Sequence, residues 1–142
     1  MRNHVILRVI AKLLIPFIIL FGLYVQFHGD FGPGGGFQAG VIIAAAGILY
    51  GLVFGLERLR RAIPPKLVQT MMAIGLLIYG GTGVVTVLLG GLFLDYQHLA
   101  HEAEHGHEYG IITIEFGVGM TVTSVMLMIY YVFAGRAEAD ED

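Results

Sequence analysis

The chain alternates long apolar runs with short polar or glycine-rich interruptions. Four runs, at about 5–27, 37–56, 67–93 and 110–133, reach the length of about 20 apolar residues that a helix needs to cross a hydrocarbon core. The pattern predicts an all-α integral membrane protein with four transmembrane helices in a single membrane domain. Outer loops are expected at about 28–36 and 94–109, a cytoplasmic loop at 57–66 and a cytoplasmic tail at 134–142. The first run is longer than a signal-peptide core and no small-x-small cleavage site follows Phe27, so it is read as a retained span. Pro64-Pro65 separates the second and third runs, because proline lacks an amide donor and restricts the residue before it.

Composition narrows the solvent. At 56% hydrophobic and 13% charged, 142 residues cannot cover a soluble domain with polar surface. There is no cysteine, which removes disulfides and thiolate metal ligation. No separate soluble domain, cofactor site or nucleic-acid surface is expected.

Charge sets the expected orientation. Arg2, Arg8 and Lys12 stand at the first run, Arg58, Arg60, Arg61 and Lys66 between the second and third, and Arg136 after the fourth, all on one side. Basic residues in short loops are retained in the cytoplasm, which places both termini there and the glycine-rich and histidine-rich loops outside. Arg8 and Lys12 lie near enough to a helix end to snorkel and orient the first span. The outer loops carry Asp30, Asp95, Glu102, Glu104 and Glu108, an acidic face that attracts cations or simply translocates easily.

Small residues recur at helical spacing in the second run: Gly36, Gly40 and Ala44 on one ridge, Gly47, Gly51 and Gly55 on another. Such faces let helices approach closely where packing and polar contacts drive association. With Gly80, Gly81, Gly83, Gly117 and Gly119, they exceed what a small bundle requires and point to partner subunits.

The segment His28-Gly29-Asp30-Phe31-Gly32-Pro33-Gly34-Gly35-Gly36-Phe37-Gln38-Ala39-Gly40 holds the most informative motif. A phosphate-binding loop is a poor match, since no strand precedes it and no Lys-Ser/Thr follows. Its local reading is a tight turn in which glycine adopts conformations closed to other residues. The run Pro33 to Gly40, after His28-Gly29 and leading into a small-residue helix in a four-span chain of this length, resembles the B subunit of Mrp-type multisubunit cation/proton antiporters. Similar subunits occur in membrane-bound hydrogenases and other redox-driven complexes related to respiratory complex I. The resemblance implies a non-enzymatic, multi-pass subunit in a prokaryotic cell membrane, assembled with large complex I-like subunits that exchange Na+ and H+. The chain departs from the family pattern at Asp30, where relatives often carry His, so no role passes to that side chain by resemblance.

Among side chains, Glu115 is the intramembrane acid, about five residues into the fourth run. It is read either as a proton or cation relay or as an interfacial carboxylate bonded to Thr113 or a neighbouring helix. His28, Asp30 and Gln38 are further ion-pathway candidates, through a titrating imidazole, a hard-cation carboxylate and an amide at a helix start. Phe37 is expected to pack as a wedge after the glycines. His101-Glu102-Ala103-Glu104-His105 matches the zinc-protease pattern literally, with His98 and His107 nearby, but the loop lacks a domain to form a substrate cleft. Metal binding by these histidines and proteolysis stay as minor alternatives.

Overall fold

The computed structural model describes residues 5–29, 34–94 and 103–139, with side chains of the last helix described over 109–136. Among these described residues five helices follow in order: α1 (Val5–Phe27), α2 (Gly36–Phe54), α3 (Leu56–Ala62), α4 (Pro65–Leu88) and α5 (Ala103–Ala139). Helices α1, α2, α4 and the Tyr109–Arg136 part of α5 are each long and apolar enough to cross a membrane. The protein is an all-helical, four-span membrane protein.

The long helices stand in the order α1, α2, α5, α4, with α2 and α5 as the inner pair. Glycine explains that order. Gly40 of α2 lies so near α5 that a β-carbon there would stand 2.7 Å from Gly119 O and 2.8 Å from Val122. On the other side of α5, a β-carbon on Gly117 would stand 2.9 Å from Gly75 O of α4. Gly22 of α1 meets Ile43 and Ile42 of α2 in the same manner. In lipid such close backbone approach gives dispersion contact that larger residues would prevent. Most large side chains of α1 and α4 are exposed on the outside of the row.

One end of the row gathers the basic residues. Arg8 and Lys12 hold their charges 5.6 and 5.8 Å from the centre of the Phe54 ring at the end of α2. Helix α3 packs Leu56 and Leu59 into a cluster with Val68, Leu127 and Tyr131. Tyr131 Oη donates to Ile63 O at 2.8 Å, and Arg60 Nη2 donates to Tyr131 O at 3.2 Å. An apolar cleft of about 380 Å³ opens between α1 and α4, with Ile15, Ile43, Leu59, Ile63, Leu67 and Leu127 in its lining.

Several boundaries differ from the sequence pattern. The segment 57–66 is largely helical, because α3 seals its apolar face against α4 and α5. Gly55 is not a packing residue: no atom of the described residues lies within 4 Å of its β position, and its φ of 103° breaks α2 from α3. Gly80 and Gly81 likewise meet nothing among the described residues. Helix α4 ends at Leu88 although apolar residues continue. Gly90 takes a φ of 92°, Gly91 N donates to Thr86 O at 3.1 Å, and the chain turns back so that Phe93 covers Gly83. Helix α5 starts at Ala103, inside the expected loop 94–109.

Candidate ion-pathway site

The carboxylate of Glu115 sits against the glycine loop. A β-carbon on Gly29 would collide with both its oxygens, and one on Gly35 would stand 2.8 Å from Oε1. At Gly36, a β-carbon would strike the carbonyl oxygen of Glu115 itself. Three glycines thus form the seat: two admit the side chain and the third admits the backbone of α5. Glu115 is half-buried there.

The loop's glycines therefore serve close approach. Among the described residues, left-handed glycine conformations occur at Gly55 and Gly90, and Gly29, Gly34, Gly35 and Gly36 are not among them. The tight-turn reading of these four is replaced by one in which a side chain would collide with Glu115 or, at Gly34, approach Val25 at 3.3 Å.

Below Glu115 the same face of α5 continues at spacings of four residues, which stack along a helix. Gly119 lies against Gln26 Oε1 and has Gly36 O at 3.1 Å from its β position. One turn farther, Thr123 Oγ1 donates to Gly40 O at 3.1 Å and to Gly119 O at 2.8 Å. The seam thus carries a carboxylate, an amide and a hydroxyl over eight residues, about 12 Å at 1.5 Å per residue.

The site is recessed. Gly117, two residues past Glu115, faces Ile78 of α4 at 3.1 Å from its β position. Helix α4 continues from Ile78 to Leu88, about 15 Å along its axis, and α5 runs beside it through Thr113 and Tyr109. Gly29 and Gly34 to Gly36 therefore sit against α5 well below the end of the α4–α5 pair.

The other candidates are placed differently. Gln38 and Phe37 are exposed on α2, and Gln38 Oε1 stands 3.7 Å from the β position of Gly35. His28 stacks on Tyr24 with ring centres 5.1 Å apart. Thr113, considered as a partner of Glu115, donates its hydroxyl proton to Tyr109 O at 2.7 Å. Gly40 and Ala44 are buried on α2, Gly47 has Leu127 at 2.8 Å from its β position and Gly51 has Tyr130 at 2.6 Å. Asp30, Pro33, His98 and His101 lie outside the described residues, as do the side chains of His105 and His107. Gln26 and Thr123 were not singled out by sequence. The available signal was the four-residue spacing of Glu115, Gly119 and Thr123, and an amide within an apolar run.

Residues 6–128 match a family described as a domain related to the MnhB subunit of Na+/H+ antiporter. The chain is 33% identical over 138 residues to the "Putative antiporter subunit mnhB2" of Staphylococcus haemolyticus, covering 94% of this chain and 96% of that protein. Proteins of the same name from Staphylococcus epidermidis and Staphylococcus aureus are 32% identical over 138 residues and 31% over 137, with the same coverage.

Proposed function

This chain belongs to the family of domains related to the MnhB subunit of Na+/H+ antiporters, and from that premise we propose that it is a bacterial membrane subunit of a multisubunit antiporter whose Glu115 relays protons or cations near the outer face. The observation that carries the relay is the seating of the Glu115 carboxylate on Gly29 and Gly35. An ionisable group within a span is costly unless it faces protein or water, and such groups mark ion pathways. The recess below the end of α4 supports a position within the membrane rather than at its edge.

The basic end formed by Arg8, Lys12, α3 and Lys66 is the cytoplasmic one by the positive-inside rule, which puts Glu115 in the outer half and both termini inside. The exposed apolar flanks of α1 and α4, with Phe37 and Gln38, are surfaces for the other subunits and for lipid. Proton–sodium coupling resides in the large subunits, and this chain supplies part of the outer passage.

Gentle purification from native membranes, followed by mass spectrometry, tests the setting. Copurification with large antiporter-like subunits is the expected result, and iron–sulfur or hydrogenase subunits in their place would move the chain to a redox-driven complex. In the purified complex, Glu115→Gln is expected to lower coupled exchange more than assembly. Equal losses of both would leave Glu115 a structural residue.

A further inference from the structure

We propose that the pocket beside Gln26 holds ordered water, bound by the Gln26 amide and the Thr123 hydroxyl, and that this water extends the Glu115 site inward along α5. The inference rests on the reading of Glu115 as a relay and adds the next station of the path.

Three observations meet at this place. Gln26 is 8% exposed, in the last turn of a membrane-spanning helix, and its amide makes no hydrogen bond to another described residue. An amide inside a span that finds no partner in the protein is commonly satisfied by ordered water. Beside it lies a pocket of about 150 Å³, lined by Gln26 and Thr123 together with Met71, Phe116 and Met120. At roughly 30 Å³ per molecule that is room for a few waters.

Thr123 is the second anchor. Its proton is directed at Gly40 O and Gly119 O, which leaves the oxygen's lone pairs to accept from water. The Gln26 amide both donates and accepts, so together the two side chains offer the two to four polar partners that a buried water needs. The rest of the lining is apolar, which limits water to the polar side of the pocket. Glu115, Gly119 and Thr123 share one face of α5, and Gln26 Oε1 rests on Gly119 midway between the two polar ends. A glycine at 119 is what permits it: a β-carbon there would collide with Gln26 Oε1.

Hydroxyl-radical labelling of the purified antiporter complex by water radiolysis tests the proposal, because oxidation reports water beside a side chain. Met120 faces the pocket, while Met126 is 37% exposed on the outer surface of α5 and serves as the control. In the native complex Met120 is expected to label several-fold more than Met126. Gln26→Leu, of similar volume, should bring Met120 down to the control and lower coupled exchange. Glu115→Gln should leave Met120 labelled, so a failed relay and a failed water site are told apart. Met120 labelling no stronger than Met126 in the native complex would overturn the proposal, whether or not the Gln26 variant assembles. Labelling that persists in Gln26→Leu would overturn the role of the amide, and loss of labelling with normal exchange would overturn the inward extension.

Discussion

Glu115 and Gly35 approach so closely that a β-carbon on the glycine would stand 2.8 Å from Oε1 of the carboxylate. The atom in the way is the far end of a flexible side chain. Gly35→Ala is therefore expected to displace the carboxylate while leaving the fold intact. In the assembled complex, exchange should fall while subunit yield stays near that of the native chain. Unchanged exchange in that variant would separate the glycine from the site's chemistry.

Gly36→Ala should behave differently, because its β-carbon meets the backbone carbonyl of Glu115 and backbone cannot swing aside. Overpacking of this kind costs about 1 to 3 kcal/mol. Thermal unfolding of the purified subunit should show a clear loss for Gly36→Ala. Gly81→Ala, where no described atom lies within 4 Å, should leave stability unchanged or slightly higher.

Thr123→Val removes the hydroxyl that ties α5 to Gly40 O while keeping the shape of the side chain. Hydrogen bonds between membrane helices contribute on the order of 0.6 kcal/mol, up to about 1.7. The expected result is a stability loss in that range with assembly retained. A loss several times larger would mean that the valine also disturbs packing against α2.

Tyr131→Phe tests how α3 is held. The lost bond to Ile63 O, 2.8 Å long, should lower local stability by about 0.5 to 1.5 kcal/mol. Amide hydrogen exchange should quicken over 56–63 and not in α1.

Thr86→Val tests the turn that ends α4. Thr86 Oγ1 donates to Gly83 O at 2.8 Å and accepts from Leu94 N at 3.0 Å, and Leu94 is held at a φ of 65° that a leucine adopts only when its surroundings require it. Without the hydroxyl, exchange at the Leu94 amide should rise sharply. Unaltered protection there would show that Phe93 packing on Gly83 holds the turn by itself.

The four spans were legible because crossing a bilayer demands length and hydropathy, which are linear properties of the sequence. Their order in space was not, since apolar faces do not name their neighbours. Glycine spacing identified α2 as a close-packing helix through Gly36, Gly40, Gly47 and Gly51, yet the same spacing extended wrongly to Gly55, where the residue turns the chain. Helix α3 was hidden in a run of charges, because Leu56 and Leu59 alone make its buried face. Glu115 stood out as a carboxylate in an apolar run. Its seat did not, as Gly29 and Gly35 looked like turn residues and only the crossing of α5 shows them to be space for an acid.

Proton flux through the reconstituted complex reads the Glu115 relay itself. Native and Glu115→Gln complexes, matched for subunit content, are placed in vesicles with a trapped pH-sensitive dye and given a sodium gradient. The variant is expected to exchange protons far more slowly at full subunit occupancy. Native rates in the Glu115→Gln complex would contradict a relay at Glu115, and the carboxylate on the glycine loop would then be a packing element.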